Sequence, residues 1–106
     1  MARILLVDSD EGHAKTVVSA LESQRHKLTV HACRQEALSN LTQFAVIILD
    51  FANRPEDWKF LDRVYQMTIA CVPKPGILCL ARNNLGPGVR LQVERKGARL
   101  VYERSA

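Results

Sequence analysis

Hydrophobic residues in this chain occur in two alternating patterns, short continuous runs and longer amphipathic stretches. Ile4-Leu5-Leu6-Val7 is an unbroken apolar run that stops at Asp8-Ser9-Asp10-Glu11-Gly12. Such a run fits a strand covered on both faces, as in a parallel sheet. Ala14, Val17, Val18 and Leu21 then recur at helical spacing, with Lys15, Ser19 and Glu22 on the opposite side, which predicts an amphipathic helix. Leu28 to Ala32 alternates like a strand, and Ala37, Leu38 and Leu41 mark a second, short helix. The clearest strand is Ala45-Val46-Ile47-Ile48-Leu49-Asp50, branched and apolar and ended by a carboxylate.

Pro55-Glu56-Asp57 suits the first turn of a helix, where proline costs no hydrogen bond and acids meet the positive end of the dipole. Trp58, Leu61, Val64 and Tyr65 supply its buried stripe. After the loop Val72-Pro73-Lys74-Pro75-Gly76 come a fourth strand, Ile77 to Ala81, and a fifth at Leu100 to Tyr102. The segment between them supports two readings. Val89, Leu91 and Val93 alternate as in one arm of a hairpin turning at Arg95-Lys96-Gly97, whereas Val89, Val93 and Lys96 share a helix face. Gly86-Pro87-Gly88 leading in and Gly97 closing favour the helix over a hairpin across residues 89–101. Alternating strands and helices with continuous apolar strands predict an α/β domain with a parallel sheet.

The length of 106 residues makes this one domain, residues 1–106, and the 47% apolar and 25% charged shares are ordinary for a globular chain. The longest apolar run, Phe44 to Leu49, is far below the ~20 residues of a membrane helix, so no membrane partner is expected. Cys33, Cys71 and Cys79 form no metal-type pair and no even disulfide set, and His13, His26 and His31 have no zinc-site spacing with them. Three reduced thiols of a cytoplasmic protein are expected. The net charge of +4 is not spread evenly. Residues 82–106 carry Arg82, Arg90, Arg95, Lys96, Arg99 and Arg104 against Glu94 and Glu103, while basic and acidic groups cancel over residues 1–81. A basic end attracts an acidic protein or a phosphate backbone, or is simply a solvated surface. No exposed aromatic series or DNA motif accompanies it, so direct nucleic-acid binding is the weaker reading.

Ligands of parallel α/β sheets bind at the carboxyl ends of the strands. Asp8 and Asp10 follow the first strand and Asp50 ends the third. With those strands adjacent, as in a 2-1-3-4-5 order, their carboxylates converge and suit a hard cation or a phosphoryl group. Outside that fold, Asp8 and Asp10 read as a helix cap and a loop acid.

These residues carry a resemblance. Ile4-Leu5-Leu6-Val7-Asp8-Ser9-Asp10-Glu11, Ile47-Ile48-Leu49-Asp50, Pro55 through Leu61, Leu78-Cys79-Leu80-Ala81 and Gly97-Ala98 together resemble the receiver domain of bacterial two-component response regulators, over nearly the whole chain. The resemblance implies a flavodoxin-like (βα)5 three-layer sandwich with a parallel sheet ordered 2-1-3-4-5. It implies Asp50 as the phosphoacceptor and Mg2+ at Asp8, Asp10 and Asp50. It also implies a histidine kinase upstream and an output process such as transcription regulation.

The departures point to a degenerate, pseudo-receiver-like member. Ser9 stands where the family has a second acid, and a hydroxyl is a poorer Mg2+ ligand than a carboxylate. Ala81 stands at the position of the switch hydroxyl, and its methyl donates nothing. The family lysine falls near Arg104, an arginine substitute of different geometry, with Glu103 beside it. Tyr102 lies near the switch aromatic of the fifth strand, out of register. Mg2+ binding is therefore expected to be weak or absent.

The chain reaches Ala106 just after the fifth strand, so the terminal fifth helix is expected to be missing or truncated. The flank it would cover then exposes roughly several hundred Å2 of apolar surface. The expected function is a non-enzymatic signalling module that works by protein contacts. It would act as a homodimer or against an output domain, through residues 82–104 and that flank. The alternative is a working receiver phosphorylated at Asp50 with Mg2+.

Overall fold

The computed structural model describes residues 3–103. Five strands, β1 (Arg3–Val7), β2 (Lys27–His31), β3 (Val46–Asp50), β4 (Gly76–Ala81) and β5 (Arg99–Tyr102), form one sheet in the order β2-β1-β3-β4-β5. Every neighbouring pair is parallel. The helices α1 (Glu11–Glu22), α2 (Arg34–Ala37), α3 (Pro55–Thr68) and α4 (Pro87–Arg95) fill the connections, with a 3-10 helix over Leu38–Gln43 after α2. The α/β class and the 2-1-3-4-5 order are those expected. The second helix is shorter than its apolar spacing suggests, ending at Ala37 before the chain tightens into the 3-10 turns that bury Leu41.

The continuous apolar strands have the cause inferred for them. Leu5 and Leu6 point to opposite faces and both are 0% exposed, because each face of β1 is covered. On one face Leu5, Val7, Ile47, Leu49, Ile77, Cys79 and Leu100 pack with α3 and α4 through Leu61, Val64 and Val93. On the other, Ile4, Leu6 and Ile48 pack against α1 through Ala14, Val17 and Leu21. In α3 the buried residues are Asp57, Phe60, Leu61, Val64 and Thr68, while Trp58 is half-buried and meets Phe51 edge-to-face at 5.0 Å.

The segment after β4 is a helix, not a hairpin. Pro87 occupies its first turn, Val93 is buried against the core, and Gly97 closes it at φ 77°. A side chain at Gly97 would also meet the Tyr65 ring at 2.9 Å, so both the backbone conformation and the space require glycine. The chain then enters β5 parallel to β4.

The two faces of the sheet are unequally covered. Among the described residues α1 alone lies on the Ile4/Leu6 face, and it does not reach the β4–β5 edge. There Leu78 and Leu80 are half-buried and Val101 is exposed, beside a groove of about 280 Å3 bordered by Val17 and Leu21. The expected truncation of a terminal helix falls on residues 104–106, outside the described residues. No helix of the described residues is long and apolar enough to cross a membrane.

Candidate functional site

The parallel pairing of β1 and β3 puts Val7 opposite Leu49, so the residues that follow, Asp8 and Asp50, emerge side by side at the carboxyl edge of the sheet. Asp8 is buried at 3% exposure and Asp50 is half-buried. The first turn of α1 folds back over them. Asp10 is its N-cap, accepting from the His13 backbone N–H at 3.1 Å, and this brings the His13 side chain over Asp8.

Both oxygens of Asp8 are engaged: Oδ1 accepts from the Asp10 backbone N–H at 3.0 Å, and Oδ2 pairs with His13 Nδ1. The other imidazole nitrogen, Nε2, lies 2.9 Å from Glu103 Oε2, just past β5. Arg82, the first residue after β4, reaches back with its guanidinium 3.2 Å from Asp10 Oδ2 and 4.0 Å from Asp50 Oδ1. The acidic pocket thus contains two basic side chains of its own.

Their electrostatic effects differ by position. For His13, burial favours the neutral ring, but hydrogen bonds to Asp8 and Glu103 outweigh it and raise its pKa. Asp10 is held below the usual carboxylate range, first by the His13 backbone N–H and then by Arg82. Asp50 is pushed up by burial and by the neighbouring Asp8 charge, with Arg82 and His13 opposing.

Beyond Asp50 the loop into α3 is held by Asp57. Its Oδ2 accepts from the backbone N–H groups of Ala52 at 2.9 Å and Arg54 at 3.2 Å, and Oδ1 pairs with Arg34 of α2. Burial opposes ionisation of Asp57, but these donors together hold its pKa low.

The predicted site residues are distributed as follows. Asp8 and Asp50 come together, and Asp10 lies alongside, occupied with the helix cap and Arg82. Ala81 is buried at the end of β4, its carbonyl accepting from the Glu103 N–H at 2.8 Å. Arg104 lies outside the described residues. Tyr102 packs against the core, and its hydroxyl accepts from the Leu85 N–H at 3.3 Å. Three residues of the pocket have no assigned role in the sequence pattern: His13, Arg82 and Glu103. His13 carries a local signal, since the third residue of a helix faces back over its N-cap. Arg82 and Glu103 are 72 and 90 positions from their partners and become visible only once the strands are ordered.

The donor set does not fit Mg2+. That ion takes oxygen ligands in near-ideal octahedral geometry. Here the Asp10 carboxylate is committed to the cap and Arg82, and the third donor beside Asp8 and Asp50 is an imidazole.

The cysteines contribute nothing to the pocket. All three are free, and burial of Cys79 pushes its thiol up to about 12.

No protein-family model and no curated protein matches the chain. Solved structures do. The chain is similar to the chemotaxis protein CheY4 of Vibrio cholerae, at TM-score 0.80 and 22% identity over 100% of this chain and 89% of that one. It is similar to the HemR receiver domain of Leptospira biflexa, at TM-score 0.77 and 23% identity over 100% and 85%. A third likeness is to the pseudo-receiver domain of the CikA protein, at TM-score 0.73 and 20% identity over 99% and 87%.

Proposed function

We propose that this chain, which has the fold of response-regulator receiver domains, is a degenerate receiver that signals by protein contact with little or no phosphorylation. The observation that carries this reading is the internal neutralisation of the acidic pocket. His13 pairs with Asp8 and Glu103, and Arg82 bridges Asp10 towards Asp50. A phosphorylation pocket needs its acids free to hold a metal and a hydroxyl to take up the phosphoryl oxygen. Here the acids hold side-chain cations and the hydroxyl position is Ala81.

The contact surface in this reading is α4 and β5 with the groove beside them. Leu91 is exposed on α4, and Val101 on the opposite face of β5 borders the groove. Its positive charge is smaller than the residue count suggests. Arg90 lies over the Tyr102 ring and donates to the Leu100 carbonyl at 3.1 Å, Lys96 pairs with Asp62 at 2.7 Å, and Arg82 faces the pocket. Arg95 and Arg99 remain exposed. A second copy of the chain is the occupant proposed for this surface, since self-contact covers the apolar strip without requiring an acidic partner.

The test is incubation of the full chain with acetyl phosphate and saturating Mg2+, read by intact mass. The expected result is an unchanged mass. A phosphoryl adduct that disappears in Asp50→Asn would establish the other reading, a working receiver, in which Asp50 and the cavity of about 340 Å3 beside it, walled by Arg54 and Arg82, accept the phosphoryl group.

A further inference from the structure

Charge cancels over residues 1–81 in number but not in space. Each acid of α3 is already engaged. Glu56 lies 3.8 Å from Arg54, the buried Asp57 binds the loop donors and Arg34, and Asp62 pairs with Lys96 at 2.7 Å. Lys59 and Arg63, on the exposed side of α3, have no ion-pair partner among the described residues. Residues four apart are neighbours on a helix surface, so these two like charges stand together.

Both border an open groove of about 480 Å3 between α2 and α3, within the roughly 300–1,000 Å3 of ligand clefts. Leu38 and Phe60 give it an apolar lining, and Arg34 forms part of the α2 wall. The Arg34 guanidinium lies 5.5 Å from the centre of the Phe60 ring. Asp57 engages its Nη2 alone, and among the described residues no other acceptor takes the remaining N–H groups of this guanidinium. The groove therefore sets three cationic side chains around an apolar strip.

That combination selects among anions. A bare phosphate uses the charges and leaves Leu38 and Phe60 without a role. A single nucleic-acid strand needs an aromatic face on which its bases stack, and Phe60 is buried at 7% exposure with Arg34 over its ring. A peptide with carboxylates on both sides of an apolar side chain meets both features. We propose that the α2–α3 groove docks such an acidic segment of a partner protein, with Arg34, Lys59 and Arg63 taking the carboxylates and Leu38 and Phe60 the apolar group. The docking uses neither the Asp8 and Asp50 carboxylates nor the residues assigned to self-contact, so it stands whichever reading of Asp50 holds.

The probe is a fluorescein-labelled peptide of glutamates and leucines, Glu-Glu-Leu-Glu-Glu-Leu-Glu-Glu, titrated with the full chain and read by anisotropy. The salt is held at about 0.15 M, where distant charges are screened. Saturable binding is expected. The double variant Lys59→Glu/Arg63→Glu should weaken it by about tenfold or more, since two attractions become repulsions. Serine in place of the leucines should weaken it by about fivefold or more, through the lost apolar burial. Lys15→Glu/Arg25→Glu, in α1 and the turn after it, should bind as the parent does. Circular dichroism confirms that each variant keeps the fold. Four results overturn the proposal: no saturation by millimolar protein, undiminished binding in folded Lys59→Glu/Arg63→Glu, an equal loss in Lys15→Glu/Arg25→Glu, or a serine peptide or oligothymidylate bound as tightly as the leucine peptide. If Lys59→Glu/Arg63→Glu does not fold, 15N spectra of the parent protein decide instead. The Arg63 Nε and the Gln66 side-chain amide, both on the groove, should shift on adding the peptide, and resonances that stay in place there overturn the proposal.

Discussion

His13 in the first helix and Glu103 after the last strand meet at 2.9 Å, although 90 positions separate them in the chain. The contact closes a chain of interactions from Glu103 through the imidazole to Asp8, which is buried at the end of β1. Asp8 takes its donor from five residues on, in the first turn of α1, and the strand order adds Glu103 as the second partner of that imidazole.

Removing that donor leaves a buried carboxylate without its partner. His13→Ala should lower stability by about 2 kcal/mol, the scale for losing a hydrogen bond to a charged group. Urea unfolding of His13→Ala, Asp8→Asn and the double variant, in metal-free buffer, measures the coupling. The double variant should cost well under the sum of the singles, because each removes the same interaction. Additive costs would show that the contact contributes nothing in solution.

Asp50 should behave in the opposite sense. Its pKa is raised by burial and by Asp8, so its ionisation works against the folded state. The penalty is absent below the ordinary carboxylate value of 3.8 and grows as pH rises through that value to the higher folded one. Asp50→Asn should therefore be more stable than the parent at neutral pH and no more stable near pH 3. Thermal unfolding at the two pH values checks this, and an equal effect at both would contradict it.

Much of this architecture was legible in the sequence because burial on both faces leaves a direct trace. Leu5 and Leu6 are apolar because each side of β1 meets a helix, and Gly97 is glycine because a left-handed turn beside the Tyr65 ring admits nothing larger. The nearness of Asp8 and Asp50 followed from their places at the ends of adjacent strands. Charge partners left no comparable trace. Arg82 and Glu103 belong to the charged C-terminal stretch, yet Arg82 turns inward to Asp10 and Asp50. A salt bridge between distant positions has no periodicity, so its ends are identified only by strand order and register. The short second helix was legible, but not its change at Leu38 into a 3-10 helix: the apolar spacing continues through the segment that buries Leu41, and spacing alone does not separate the two.

Asp57 gives a pH dependence of the more familiar sign. Its carboxylate binds the Ala52 and Arg54 N–H groups and Arg34, which hold its pKa below the ordinary carboxylate value of 3.8 despite burial. The stabilisation is complete above that value and is lost as pH falls through the lower folded one. Asp57→Ala should cost about 2–4 kcal/mol at neutral pH, by uncoupling the β3–α3 loop from α2 and leaving buried donors unpaired. The difference from the parent should shrink on acidification below about pH 4, the range of the free carboxylate. A constant difference down to about pH 2, well below that range, would assign the loss to packing alone.

Val101 tests the proposed self-contact. It is 37% exposed on the β5 edge and its removal takes nothing from the main core. Val101→Glu should leave the stability within about 0.5 kcal/mol of the parent while shifting sedimentation towards monomer. A parent that sediments as a monomer at high concentration would exclude the dimer.

The unequal covering of the sheet affects how long the pocket keeps its arrangement. Glu103 continues β5 by one ladder bond, from its N–H to the Ala81 carbonyl. That strand is four residues long, lies at an edge, and among the described residues is screened by a helix on one side only. Edge strands of this kind are among the first parts of a domain to open while the centre stays closed. Each such opening carries Glu103 away from His13 without disturbing Asp8 or Asp50, which sit on the two best-protected strands. The lifetime of the site's charge balance is thus set by the hold of β5 on its neighbour, and whatever covers Val101 also lengthens the time His13 keeps its second partner.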